Sequence, residues 1–231
     1  MIGPNLLFFA TLQLMYFASR TAAGEQLASR LEPYASQDVA ILALSEGGVV
    51  VGAQIAARLH CSLAFLLTQD ITLPGEKTAV GIVDQNGGFT YNDYFSTGEI
   101  DELATEYHGV IDNLKEEKWH EMNRLLADGG LAEVSSLENK VVILVSDGLL
   151  NGSSLIATMN FLKPIAIEKV IIATPVASVA AVDKMHLLGD ELQVLQVVDG
   201  VFELDHYYDE NDVPERPELI KALTTVLGND G

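Results

Sequence analysis

The chain predicts an α/β domain built on a mainly parallel sheet, and three features of its sequence carry that prediction. Apolar runs of strand length alternate with helical segments from Arg20 onward. The runs are apolar at successive positions instead of every second one, as strands covered on both faces must be. One Asn-Gly-Gly turn between short β-type runs breaks the alternation and marks an inserted hairpin.

The elements follow in order. Thr21 to Leu31 carries Ala22, Leu27 and Leu31 at helical spacing and stops before Pro33. Val39 to Leu44 is a buried strand that runs through Ser45-Glu46-Gly47-Gly48 into a helix from Val49 to Leu59. Leu63 to Leu67 is a second buried strand, followed by a Pro74-Gly75 loop. Ala79 to Val83 and Phe89 to Tyr91 flank Asn86-Gly87-Gly88, where a two-residue hairpin turn needs positive φ at both central positions. A long amphipathic helix is expected from Gly98 to Ala127, with Ile100, Leu103, Tyr107, Val110, Leu114, Met122 and Leu125 on one face, ended by Asp128-Gly129-Gly130. The parallel pattern then resumes with a strand at Val141 to Val145, a helix at Ser153 to Leu162 and a strand at Lys169 to Ala173. A helix at Val179 to Leu188 and a strand at Leu192 to Val197 complete it. The tail from Asp199 is strongly acidic and closes on a short helix, Pro217 to Leu227. We read a single domain over 1–231, with 79–130 inserted and 199–231 as an acidic extension.

Composition excludes several functions. Thirty-three acidic residues against thirteen basic ones give a formal charge of −20, which disfavours a phosphate backbone or an anionic membrane as partner. A single cysteine excludes a disulfide framework and multi-cysteine metal sites. The N-terminal run from Met1 to Phe17 is apolar but has no basic residue before Arg20, and Pro4 and Gln13 interrupt it. It therefore lacks the charged start of a signal peptide and the roughly 18 apolar residues of a membrane span. It reads as a buried first strand or an ordered leader, and the protein as cytoplasmic.

The stretch richest in chemistry is Val141 to Ser154, where an apolar strand meets Ser146-Asp147-Gly148, a short loop, and then Asn151-Gly152-Ser153-Ser154 opening a helix. A glycine lets the backbone approach an anion closely, and the helix N-terminus supplies N–H donors, so this loop can cradle a phosphate. Asp147, at the carboxyl end of the strand, is placed to accept from sugar hydroxyls. An ordinary turn with Ser153 as a helix cap accounts for the same letters.

This stretch resembles the phosphoribosyl pyrophosphate (PRPP) signature of the type I phosphoribosyltransferases, an apolar strand, two acids, a linker and Thr-Gly-x-Thr. The likeness extends in order through Phe17-x-x-Arg20, Ala23-Gly24, Leu27-Ala28, Gly47-Gly48, Pro74-Gly75, Ala79 to Val83 and Thr174-Pro175-Val176-Ala177, and is that of a bacterial subgroup of predicted phosphoribosyltransferases. It implies a parallel sheet flanked by helices with a hairpin-plus-long-helix hood. Active members exchange the pyrophosphate of Mg²⁺-bound PRPP for a base nitrogen.

The departures bear on function. The acid pair is Ser146-Asp147 here, which leaves one catalytic-position carboxylate, while Asn151, Gly152, Ser153 and Ser154 keep the glycine and a final hydroxyl for the 5′-phosphate. The subgroup's Pro-Arg-Gly-Gly loop reads Ser45-Glu46-Gly47-Gly48, and its Arg-Lys pair reads Gln69-Asp70. At an effective dielectric near 20 and about 4 Å, each reversed charge pair is worth about 4 kcal/mol before screening. Pyrophosphate would then be repelled unless Mg²⁺ bridged it to Glu46 or Asp70, and Lys77 is the nearest cation in sequence.

Other candidates are weaker. His60, His108, His120, His186 and His206 show no metal-ligand spacing, and no metal site is expected. Glu203, Asp205, Asp209, Glu210 and Asp212 read as a solvated face, Cys61 as a small core residue, and Trp119 as an aromatic that needs cover. Three readings stand. One is a protein with weakened or lost PRPP chemistry that binds a nucleotide monophosphate or a single phosphate group. Another is a divergent active phosphoribosyltransferase using Mg-PRPP. The third is a non-catalytic interaction protein, self-associating through the long helix and acidic tail.

Overall fold

The computed structural model describes residues 16–127, 137–150, 152–199, 203–215 and 218–219. Five parallel strands form the main sheet: β1 (Val39–Ala43), β2 (Ser62–Phe65), β6 (Val141–Val145), β7 (Lys169–Ser178) and β8 (Glu191–Val198), in the spatial order β2-β1-β6-β7-β8. Helices α1 (Arg20–Leu31) and α2 (Glu46–Leu59) cover one face, and α5 (Ser153–Leu162) and α6 (Val179–Leu188) the other. The alternation of Cβ direction along a strand makes the two cores. Val39, Ile41 and Ala43 of β1 join Val141, Ile143 and Val145 of β6 under α1 and α2. Ala40 and Leu42 join Val142 and Leu144 under α5 and α6.

A three-stranded antiparallel sheet forms the hood: β3 (Thr68–Ile71), β4 (Gly81–Asp84) and β5 (Phe89–Tyr91). The expected hairpin is β4–β5, with Val83 opposite Phe89. Its turn differs from the expectation, because Gly87 alone of the Asn-Gly pair takes a positive φ, 83°. The Asp84 carboxylate instead accepts from the amides of Asn86 and Gly88 at 2.8 and 3.0 Å and shapes a longer loop. The strand β3 has no counterpart in the sequence reading. Thr68-Gln69-Asp70-Ile71 is polar at its centre, and only its pairing with β4 makes it a strand.

The long helix is two helices, α3 (Thr97–Glu106) and α4 (His108–Ala127), broken at Tyr107, where φ/ψ of −109°/14° leaves the helical region. The buried face of α4 is set by Ile111 and Met122, while Tyr107 and Val110, expected to face inward, are exposed. Helix α2 starts at Glu46, earlier than the expected Val49, because the Ser45 hydroxyl caps it by accepting from the Gly48 amide at 2.9 Å. The expected N-terminal strand or leader before Tyr16, the Asp128-Gly129-Gly130 stop, and all but Glu218 and Leu219 of the last helix lie outside the described residues. Among the described residues no helix is long and apolar enough to cross a membrane.

Candidate functional site

In the main sheet, β1 is followed by a crossover to β2 on one side, and β6 by a crossover to β7 on the other. The loops leaving the carboxyl ends of β1 and β6 therefore diverge and open a crevice, the usual place for a ligand in such sheets. Ser45 stands at one loop and Ser146 and Asp147 at the other, so these sequence-predicted positions from two distant segments do converge here.

Asp147 is 5% exposed, and each of its carboxylate oxygens has a partner. The Arg20 Nε donates to one carboxylate oxygen at 2.7 Å and the Ser45 hydroxyl to the other at 2.7 Å. Gly47 permits this arrangement, since a Cβ there would overlap the Asp147 carboxylate and crowd the Arg20 Nε. Gly48 similarly lets the first turn of α2 lie against the Val145 carbonyl and Ser146. The Ser146 hydroxyl turns back on its own loop, donating to the Gly148 carbonyl at 2.9 Å. Ser146 thus stabilises the turn and does not replace the missing acid.

Arg20 is 3% exposed and opens α1 at the N-terminal end. Its Nη1 donates to Asn211 at 3.1 Å and its Nη2 to Asp205 at 2.5 Å, and its guanidinium lies 4.4 Å from the centre of the Tyr208 ring. Burial works against the charged guanidinium, but the hydrogen bonds to Asp147 and Asp205 outweigh it and hold its pKa above the ordinary value. The Tyr208 hydroxyl donates to the Asp147 carbonyl, and burial with the nearby Asp147 charge pushes the phenol pKa up. Asp212 accepts from the backbone amides of Arg20 and Thr21, both at 3.0 Å, and from the Thr21 hydroxyl at 2.7 Å. Residues 203–212 thus form a strap across this end of the crevice, and Leu204 packs where a Cβ on Gly148 would stand. Glu203, Asp205, Asp209 and Glu210 are exposed, as a solvated face would be, but Asp205 also partners a buried arginine and the half-buried Asp212 a helix N-terminus, roles that reading did not include.

The other end of the crevice is the start of α5. Gly152 caps it with φ of 75°, a conformation that L side chains rarely adopt. The Lys184 Cδ, from α6, comes within 2.9 Å of the Cβ position at Gly152. The Lys184 ammonium pairs with Asp93 of the hood, and the Ser153 hydroxyl lies 3.1 Å from Asn92 Oδ1 and 3.3 Å from Asp93 Oδ1. An anion therefore already faces a serine and a lysine here. Ser154 lies in the first turn of the same helix, and Asn151 lies outside the described residues.

The remaining candidates disperse. Gln69 and Asp70 lie in β3, paired with Val83 and Ile82, not in a loop and not among the partners of Asp147. Glu46 occupies the first turn of α2. Among the described residues no three His, Cys, Asp or Glu side chains gather closely enough to hold a metal ion. Burial pushes the Cys61 thiol up to about 11, so it is inert as a nucleophile near neutral pH. Trp119 finds its cover within the chain, donating from Nε1 to the Gln85 carbonyl at 3.1 Å over the Gly87 turn.

Sequence reasoning missed the two site cations. It looked for them within the loops, while the fold delivers Arg20 from α1 and Lys184 from α6. The signal for Arg20 was the Phe17-x-x-Arg20 motif, together with a surplus of acids elsewhere to pair it.

A parallel sheet with a hood and a crevice between these loops defines a phosphoribosyltransferase-type domain. The family model "Phosphoribosyl transferase domain" matches residues 11–194, and the chain belongs to that family. A Mycobacterium tuberculosis protein provisionally named a phosphoribosyl transferase, found in strains H37Rv and CDC 1551, is 25% identical over 182 residues. That stretch is 78% of this chain, which spans only 40% of the relative's length. The crystal structure of TT1426 from Thermus thermophilus is 26% identical with a TM-score of 0.69, covering 91% of this chain and 98% of its own.

Proposed function

We propose that this chain is a cytoplasmic family member in which PRPP transfer is weakened or lost, and which holds a single phosphate ester, ribose 5-phosphate or a nucleoside monophosphate, at Gly152 to Ser154. The observation that carries this reading is the state of Asp147: the one acid left of the family's pair is buried, paired with Arg20 and bonded to Ser45. A carboxylate so buried, with a donor already on each oxygen, presents little surface to the ribose hydroxyls of PRPP. Glu46 and Asp70 stand where the family resemblance puts the pyrophosphate-binding cations, although Asp70 lies in β3 and not in a loop. At the opposite end the α5 N-terminus, Ser153 and Lys184 supply donors and positive charge suited to a single phosphate.

The Mg²⁺ that accompanies PRPP in the family fits this donor set poorly. Asp147 is already neutralised by Arg20, and Glu46 and Asp70 sit on separate elements, α2 and β3. Calorimetric titration with ribose 5-phosphate, with nucleoside monophosphates and with PRPP plus Mg²⁺ tests the reading. The monophosphates should bind and PRPP with Mg²⁺ should bind no more tightly. Much tighter binding of PRPP with Mg²⁺, with pyrophosphate released when a base is added, would overturn it in favour of an active transferase. Binding of none of them would leave an interaction protein.

A further inference from the structure

We propose that the strap is autoinhibitory: Asp205 and Asn211 hold the outer edge of the Arg20 guanidinium, and a ribose phosphate must take over that edge to reach Asp147. This rests on the reading of Gly152 to Ser154 as a phosphate cradle and adds how access to the rest of the crevice is controlled.

The two edges of Arg20 differ. Its Nε faces inward to Asp147, whose side chain is 7% exposed, whereas Nη2 faces outward to Asp205, whose side chain is 64% exposed. The inner partner is fixed by burial, and the outer one stands in water, where an ion pair is weak and exchangeable. The outer edge is shared between a carboxylate and an amide oxygen, although a guanidinium fork accommodates two oxygens of one phosphate or carboxylate. Release does not require the sheet to open. Tyr207 and Tyr208 stay buried beside Phe17, while Leu204, Asp205 and Asn211 are the contacts that must swing away. The strap also lies beyond the family-matched region, which ends at 194, while Arg20 and Asp147 lie inside it.

The experiment compares ribose 5-phosphate binding by the full chain, by Asp205→Asn and by Glu203→Gln. Glu203→Gln removes the same charge from the same strap without touching Arg20. Asp205→Asn should bind at least tenfold tighter, and Glu203→Gln should bind like the parent. Equal affinity for the parent and Asp205→Asn overturns the strap proposal while leaving the cradle intact. Equal tightening by both variants overturns it too, because the effect would then be the general field. Binding by no form overturns the cradle reading, and the strap proposal with it. As a readout free of mutation, saturating the parent with ribose 5-phosphate should speed hydrogen exchange at the His206 and Tyr208 amides, which bond the Glu203 and Asp205 carbonyls. Unchanged or slower exchange there counts against release.

Discussion

The two ends of the crevice hold their charges in opposite ways. At the Asp147 end, the paired side chains of Arg20 and Asp147 are 4% and 7% exposed, and each has further partners. At the Gly152 end, Lys184 and Asp93 are 32% and 31% exposed and face each other across the gap between α6 and the hood. A buried network is costly to break, because each lost partner leaves a desolvated charge behind, whereas a half-exposed pair exchanges partners with little loss. The Asp147 end is thus part of the fold's framework, while the cradle proposed at Gly152 is bordered by charges free to exchange partners.

The framework end is challenged most forcefully at Arg20. Arg20→Met leaves Asp147 buried without its cation and should cost about 3–5 kcal/mol in urea unfolding. A loss near zero would mean that the Asp147 end is no framework. Gly47→Ala pushes a methyl into the Asp147 carboxylate and should cost about 1–3 kcal/mol by the same measurement, since the side chains around it have no room to move. Lys184→Met should change stability by less than about 1 kcal/mol, yet weaken ribose 5-phosphate binding about tenfold or more, as the loss of a charge-assisted hydrogen bond of about 1.5–3 kcal/mol implies. Unchanged affinity in calorimetry would remove Lys184 from the cradle.

The smallest effect concerns acid. Burial works to raise the Asp212 pKa, but hydrogen bonds from Thr21 and Arg20 outweigh it and hold the carboxyl below its ordinary value. Its contribution to stability is therefore full above the ordinary carboxylate pKa near 3.8 and declines as pH falls below that. Asp212→Asn should flatten the loss of stability between about pH 4 and pH 3, and an unaltered slope would show that the strap does not depend on that charge.

Much of the fold was legible because it is written in local patterns. The continuous apolar runs of β1, β6 and β7 have no other good reading, and Asn86-Gly87 marked the hairpin although not its turn type. The glycine opening α5 was legible for the same reason, standing next to the helix it caps. What stayed hidden depends on partners distant in sequence. Strand β3 is recognisable only from β4, and the break at Tyr107 follows from no proline or glycine at that position. The face of α4 turned toward Ile111 because the hood sheet, not the helix period alone, decides which side is covered. The role of Asp205 was hidden most completely, since an exposed acid in an acidic tail looks the same with or without an arginine waiting for it.

That arginine also sets an order in time. Arg20 lies 127 residues before Asp147 and 185 before Asp205. At about 5–20 residues per second, a ribosome would hold the newly made guanidinium for ~10–40 s before Asp205 emerges. The contacts around Arg20 therefore cannot all form until the strap has been made. Long-range contacts of this kind slow folding, so the step that completes the crevice should be among the last to form.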